Sequence, residues 1–91
     1  MITLNLTFLL VAHQDAVTSI SLDPDAINLA TGSTTGNLRI WNLTSKNCIQ
    51  DINAHISYQD ESISAVKFHP SKPKMLASAG VDSTVKVFYS Y

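Results

Sequence analysis

Residues 29–42 read LATGSTTGNLRIWN, and residues 76–88 read LASAGVDSTVKVF. The two stretches begin 47 positions apart and keep their residue character at almost every position. In each, two short runs of β-compatible residues are joined by a tight link of small and hydroxyl side chains, which is typical of a β-hairpin. A hairpin that recurs in this way predicts an internal repeat of antiparallel strands.

Shorter motifs extend the repeat beyond the hairpin. Ala12-His13 recurs as Ala54-His55 only 42 residues further on. Leu22-Asp23-Pro24 recurs as Phe68-His69-Pro70, 46 residues further on. The increase from 42 to 46 places four additional residues between His55 and Ile63, and the increase to 47 places one more in the turn at residues 69–74. The sequence therefore predicts a repeat of about 45 residues that is built from four short strands.

Strand-like runs and turn residues alternate along the chain, and the apolar spacing of an amphipathic helix is missing. Asp23-Pro24-Asp25 closes the strand-like run at residues 16–22 with residues typical of a type I turn. These features predict an all-β fold. In the first repeat the strands are expected at residues 16–22, 27–32, 37–42 and 47–53.

The chain has 91 residues and few charges. Six Lys and Arg stand against seven Asp and Glu, which gives a net charge of −1, and charged residues make up 14% of the chain. This balance offers no basic surface for nucleic acid or anionic lipid. Ser and Thr total 19 residues, and few charges with many hydroxyls suit strands that are covered on both faces.

Cys48 and the apolar N-terminal stretch bear on compartment and membrane contact. Cys48 is the only cysteine, so no disulfide framework forms and an intracellular protein is favoured; we expect Cys48 to be buried in its strand. The longest apolar run, residues 8–12, is far shorter than the ~20 residues of a spanning helix, so no direct membrane insertion is expected. A signal peptide over residues 1–12 is disfavoured because no Lys or Arg precedes the apolar stretch.

The repeat length, the histidine before each first strand and Trp41 at the end of the third strand resemble the WD repeat of β-propellers. The resemblance implies two four-stranded antiparallel blades of an incomplete propeller. We expect residues 1–11 to be an outer strand or a segment outside the family, residues 12–53 the first repeat, and residues 54–91 a second repeat with three strands. Since about seven blades close such a ring, the chain is expected to be the C-terminal fragment of a propeller and to need the remaining blades.

Four stretches are similar to the last two repeats of the striatin family: AHQDAVTSISLDP (12–24), IWNLTSKNCIQ (40–50), AH…ESISAVKFHPSKP (54–73) and ASAGVDSTVKVF (77–88). This resemblance implies a non-enzymatic scaffold, a regulatory subunit of protein phosphatase 2A in a kinase–phosphatase assembly. It implies protein partners such as a Mob-family adaptor, no cofactor, and a cytoplasmic location with any membrane association made through partners. The family's coiled coil lies upstream, so this chain alone is not expected to recruit the phosphatase.

Many WD repeats contain a hydrogen-bonded set of a His, a strand Ser or Thr, a turn Asp and the Trp. By resemblance, the first repeat would contribute His13, Thr31 and Trp41, with Thr35 at the position of the Asp. Buried imidazole and indole groups each need a partner, so such a set would join neighbouring strands. Because Thr35 carries no charge, we expect this network to be weaker than a complete one.

The second repeat would contribute His55, Ser78 and Asp82, with Phe88 at the position of the Trp. Phe88 cannot donate a hydrogen bond, so this network is also expected to be weaker. The same three polar residues have the chemistry of a hydrolase triad. A structural role is favoured because Ser78 does not lie in a G-x-S-x-G nucleophile motif.

Other chemistry is disfavoured by spacing. His13, His55 and His69 do not fit a zinc site, and no Gly-Lys-Ser or Gly-Lys-Thr follows Gly32 or Gly36 as a phosphate loop requires. We therefore expect no catalytic residue, metal or cofactor.

The insertion after His55 is the candidate partner-binding loop, with Tyr58 as an aromatic anchor, Gln59 beside it, and Asp60 and Glu61 as an acidic edge. A plain solvated loop is the alternative that the residues leave open. Two other functions also stay open at this point: a WD-repeat subunit of another complex, such as a ubiquitin-ligase substrate receptor, and a small secreted hydrolase.

Overall fold

Seven short strands make up the fold in a computed structural model, which describes residues 3–6, 8–55, 62–72 and 74–89. Within those ranges there is no helix, and therefore none that is long and apolar enough to cross a membrane. The strands are β1 (Val17–Leu22), β2 (Asn28–Ser33), β3 (Asn37–Asn42), β4 (Cys48–Asn53), β5 (Ile63–Phe68), β6 (Met75–Gly80) and β7 (Val85–Tyr89).

Within each sheet, each strand pairs antiparallel with the next along the chain. Strands β1 to β4 form one sheet in sequence order, and β5 to β7 form a second sheet in sequence order. Short turns explain this meander, since antiparallel neighbours need only a few linking residues. The expected all-β fold of partial propeller blades is confirmed, with four strands in the first blade and three in the described part of the second.

The turn between β1 and β2 shows why the first strand ends where it does. The backbone carbonyl of Asp23 accepts the N–H of Ala26 at 3.0 Å, which closes the turn. The buried Asp23 carboxylate accepts the N–H of Ile27 at 2.8 Å and the side-chain amide of Asn28 at 3.1 Å. These bonds satisfy the local backbone and start the return strand.

The two blades repeat each other in detail. β1 has a bulge between Val17 and Ser19, and β5 has one between Ile63 and Ala65. Aligning these bulges matches each residue of β1 to the residue 46 positions later in β5. The hairpins match with an offset of 47 residues, so that β2 corresponds to β6 and β3 to β7.

The hydrophobic core lies between the two sheets. Gly32 in β2 allows a close approach there, because a Cβ atom at this position would lie 2.7 Å from Cγ2 of Ile63. Apolar side chains from both blades fill the space; the buried ones are Ala30, Leu38, Ala54, Ile63, Val66, Phe68 and Leu76.

The environment of Cys48 differs from the one that the sequence predicts. Cys48 opens β4 and is exposed, so the prediction that its side chain is buried is wrong: β4 is an edge strand whose side chains are largely solvated. Residues 3–6 and 8–16 contain no strand. The repeat boundaries and the outer-strand assignment of residues 1–11 stay predictions.

Candidate functional site

A buried hydrogen-bonded cluster lies inside the first blade. The hydroxyl of Thr31 in β2 lies 2.7 Å from Nε2 of His13 and accepts the indole N–H of Trp41 from β3 at 3.1 Å. All three residues are buried. One hydroxyl therefore joins the segment before β1 to two strands of the sheet, and no buried side-chain polar atom in the described residues is left without a partner.

Thr35, at the position where the family has Asp, lies in a different set of bonds. Its hydroxyl is 3.1 Å from the hydroxyl of Ser33, and Ser33 Oγ also accepts the backbone N–H groups of Thr35 and Asn37 at 3.3 Å each. In the residues that the structure describes, Thr35 makes no bond to His13. The first blade thus has a three-member cluster and a separate hydroxyl-capped turn.

A second buried cluster lies in the second blade, between the end of β4 and the β6–β7 hairpin. Nε2 of His55 is 2.8 Å from the hydroxyl of Ser78, and Nδ1 is 3.0 Å from each carboxylate oxygen of Asp82. Thr84 donates to Asp82 through its hydroxyl at 2.6 Å and through its backbone N–H at 3.1 Å. His55 therefore links the segment before β5 to strand β6 through Ser78 and to the β6–β7 turn through Asp82.

Hydrogen bonding holds the Asp82 carboxyl in its charged form. The Thr84 hydroxyl and N–H, together with His55, lower the pKa of Asp82 to about 2 from its ordinary 3.8, although partial burial opposes the shift. The carboxylate is therefore ionised at neutral pH and only accepts hydrogen bonds. Nδ1 of His55 is therefore the N–H nitrogen in this contact, and it donates a hydrogen bond to Asp82.

The surroundings of the first-blade histidine disfavour its protonated form. Burial lowers the pKa of His13, and the positive charge of Arg39 lowers it further. Arg39 is fixed nearby because it donates to the backbone carbonyl of Ala12 at 2.7 Å and pairs with Asp51 at 3.2 Å. The two clusters therefore differ in charge: the positive charge of Arg39 acts on the His13 ring, whereas the carboxylate of Asp82 is bonded to the His55 ring.

One aligned position explains why the clusters differ. A Cβ atom at Gly80 would lie 2.6 Å from Cγ of His55 and 2.8 Å from an Asp82 oxygen, so only glycine leaves room for this ring. Ser33 occupies the matching position in the first blade and carries that Cβ. An imidazole placed as His55 is placed would collide with it, and His13 instead bonds to Thr31 through Nε2.

Sequence reasoning missed Thr84, Ser33 and Gly80 as members of these clusters. The D-x-T spacing of Asp82 and Thr84 is a signal for a capped turn, since a carboxylate commonly accepts the N–H two residues on. The exchange of Ser33 for Gly80 at aligned positions is a second signal, because it accompanies the exchange of Thr35 for Asp82.

A groove of about 480 Å³ lies between the outer parts of the two blades. Its lining is Asn28, Ile40, Ile49, Gln50, Ile52, Phe68, Lys74, Leu76, Phe88 and Tyr89. No histidine or carboxylate lies in that lining. The described residues also contain no group of three or more potential metal ligands.

The candidate partner-binding residues Tyr58, Gln59, Asp60 and Glu61 lie outside the described residues. Both flanks of this segment are held. His55 is buried in its cluster, and the Ser62 hydroxyl donates to the backbone carbonyl of Thr34 in the β2–β3 turn at 3.1 Å. His55 and Ser62, the described residues on either side of this segment, are thus each held by a hydrogen bond.

Repeated antiparallel blades with a buried His–hydroxyl bond in each define a WD-repeat protein. The family described as WD domain, G-beta repeat (WD40) matches residues 4–42 and 46–88, and the chain belongs to this family. The chain is 54% identical over 79 residues to Striatin-3 of Rattus norvegicus and 51% identical over 79 residues to Striatin of Homo sapiens. The striatin-family resemblance is confirmed.

The relatives are much longer than this chain. The matched 79 residues are 87% of the chain and 10% of each of these two striatins, so the chain spans about a tenth of their length. Among solved structures, the crystal structure of the computationally designed Ika4 protein is similar, with a TM-score of 0.70 and 25% sequence identity over 89% of this chain and 45% of that one. The chain is therefore a WD40 protein-interaction domain with similarity to striatins.

Proposed function

We propose that this chain is a non-enzymatic, striatin-type interaction platform that serves in a regulatory subunit of protein phosphatase 2A within a kinase–phosphatase assembly. The observation that carries the proposal is identity of 51–54% to striatins over 87% of the chain, which spans both blades and the segment between them. By the same similarity, the protein acts in the cytoplasm and reaches membranes through its partners.

Burial supports a structural role for the one constellation that resembles a catalytic triad. Asp82, His55 and Ser78 have the order and spacing of an acid, a base and a nucleophile. However, the Ser78 side chain lies within β6 and the residue is only 1% exposed. A substrate carbonyl has no path to its hydroxyl, and the cluster instead joins the strands of a rigid blade.

The segment that carries Tyr58, Gln59, Asp60 and Glu61 is the part of the platform that we assign to partner binding. It is four residues longer than the matching segment of the first repeat. Its flanks are fixed by His55 and Ser62, so the loop starts from a preorganised base, which reduces the entropy cost of binding. A Mob-family adaptor is the partner that the striatin similarity favours.

The test is direct binding of the purified full chain to a Mob-family adaptor, measured by titration calorimetry. We expect saturable binding by the wild type and weaker binding by Asp60→Asn with Glu61→Gln. Asp25→Asn removes an exposed acid from the β1–β2 turn and is the matched control. No binding by the wild type, or equal losses in the loop and control variants, would contradict the assignment.

A further inference from the structure

The groove between the outer parts of the two blades has apolar walls. Its volume of about 480 Å³ is ordinary for a site that binds a ligand. Ile40 and Ile52 line it from the first blade, and Phe68, Leu76 and Phe88 line it from the second. All five belong to the hydrophobic core or pack against it. The groove therefore runs along the outer border of the core that joins the blades.

A bulge in β4 adds an exposed apolar side chain to this groove. The register of β4 passes from Gln50 to Cys48 across two consecutive residues of β3, which leaves Ile49 as the extra residue. Successive side chains of a regular strand point to opposite faces, yet Ile49 and Gln50 both line the groove. The bulge explains this, because an extra residue redirects the side chains around it. Ile49 is 57% exposed, so it is available for contact with another molecule.

The β5–β6 turn places two lysines at the mouth of the groove. Lys74 lines the groove itself, and Lys72 and Lys74 together line a smaller recess beside it. Both lysines are exposed, and neither forms an ion pair with a described residue. No carboxylate lines either opening. The mouth of the groove is thus positively charged, although the chain has a net charge of −1.

The matching turn of the first repeat has the opposite charge. Asp23 and Asp25 lie in the β1–β2 turn, which has no lysine, whereas residues 69–74 contain two lysines and no acid. The group that caps the turn changes as well. Asp23 caps its turn with a carboxylate, whereas Nδ1 of His69 accepts two backbone N–H groups of its own turn at 3.1 Å each. An Nδ1 that accepts carries no proton, so a neutral ring replaces an anion and leaves the lysine charges without an acidic neighbour in the turn.

We propose that this groove binds an extended segment of a partner protein in which a bulky apolar side chain stands next to acidic residues. The apolar side chain packs on Ile49 and the groove walls, and the acidic residues pair with Lys72 and Lys74 at the mouth. Two lysines beside an apolar groove do not form the broad basic surface that nucleic acid or an anionic membrane requires, so a peptide is the better match. This surface is separate from residues 58–61, because it lies where β4 begins and they follow the end of β4.

Selection of a random peptide library on the immobilised full chain tests the proposal. We expect the enriched peptides to combine a bulky apolar residue with neighbouring acids. In fluorescence polarisation, Lys74→Glu should weaken their binding by at least about tenfold, because it brings like charges together. Lys67→Glu is the matched control, since it changes the net charge equally at an exposed position of β5 outside the groove lining. We expect this control to change the affinity by less than about twofold, because salt screens distant charges.

Two further measurements separate the apolar part of the site from the charged part. Ile49→Ser removes the exposed apolar contact and should also weaken binding, with circular dichroism as the check that the fold is kept. A selected peptide in which lysine replaces every acid should bind Lys74→Glu more tightly than the wild type. The original peptides should bind Asp60→Asn with Glu61→Gln as they bind the wild type, so this test is independent of the loop assigned to a Mob-family adaptor.

Several outcomes would overturn the proposal. They are a selection with no enrichment over a surface that lacks the chain, enriched peptides without acids, and equal losses in Lys74→Glu and Lys67→Glu. Binding to phosphatidylserine vesicles that Lys74→Glu abolishes, with no peptide selected, would assign the groove to a membrane surface and contradict a peptide partner.

Discussion

At the scale of single residues, one hydroxyl near the middle of each blade decides how the buried histidine is held. Thr31 and Ser78 occupy matching positions, and each lies within 2.8 Å of a histidine Nε2. The first blade adds an indole donor on the Thr31 side, and the second adds the Asp82 carboxylate on the other side of the ring. Each blade therefore holds its histidine in a hydrogen-bonded cluster, but the two clusters use different partners.

Exchanging the aromatic residue at the end of the third strand tests this assignment. We expect Trp41→Phe to lower the free energy of unfolding by about 1–3 kcal/mol, because it removes a buried hydrogen bond and leaves space. We expect Phe88→Trp to raise it by about 0.5–1.5 kcal/mol, because the indole N–H would reach Ser78. Urea unfolding at one fixed protein concentration measures both changes, and a destabilising Phe88→Trp would show that the two sites are not equivalent.

Asp82 gives the second blade an acid-sensitive link. Its pKa is about 2 in the folded chain and near 3.8 when it is unconstrained. A lowered carboxyl pKa stabilises the fold above the unfolded value, and this contribution is lost as the pH falls from about 4 to 2. Urea midpoints should fall more steeply over that window in the wild type than in Asp82→Asn, and parallel curves would contradict this role.

Sequence reasoning brought together most, but not all, of each cluster. His13, Thr31 and Trp41 have side chains that differ clearly from their strand neighbours, so their alignment with the family was visible. The role of Ser33 was not visible, because its effect is steric and depends on where an imidazole lies in three dimensions. The burial of Ser78, which separates a structural cluster from a catalytic one, also depends on the packing of strands.

At the scale of elements, β1 and β5 behave differently although their sequences are aligned. Both have a bulge at the same position and pair with one neighbour in their own sheet. The hydroxyls of Ser19 and Ser21 in β1 accept the backbone N–H groups of Val66 and Phe68 in β5, both at 3.0 Å. By contrast, the apolar side chains of β1 at positions 20 and 22 are exposed to solvent. Strand positions followed from alternation and turn residues, but this cross-blade capping could not, because serine is equally common on open surfaces.

Removing the two hydroxyls tests the capping. We expect Ser19→Ala with Ser21→Ala to destabilise the fold by about 1–3 kcal/mol, because two buried N–H groups lose their acceptors. The amide protons of Val66 and Phe68 should exchange faster with solvent in this variant. Ser64→Ala, at an exposed position of β5, is the matched control and should leave both rates unchanged. Equal exchange in all three proteins would contradict the capping.

At the scale of the whole molecule, the two sheets act as one unit because their shared face is the core. A propeller is built from contacts of this kind, repeated from blade to blade, and its stability is close to a sum of neighbour contacts. The internal repeat made the two blades predictable. How closely they approach depends on Gly32, which is only informative once Ile63 is known to lie against it.

The two WD repeats pack against each other through β1, β2 and β5. The nuclear Overhauser effect between the methyl groups of Ile63 and the α protons of Gly32 in the full chain measures this packing directly. We predict a strong cross-peak, because a Cβ atom at Gly32 would touch the Ile63 side chain. Cross-peaks within each blade without this one between them would contradict the packing.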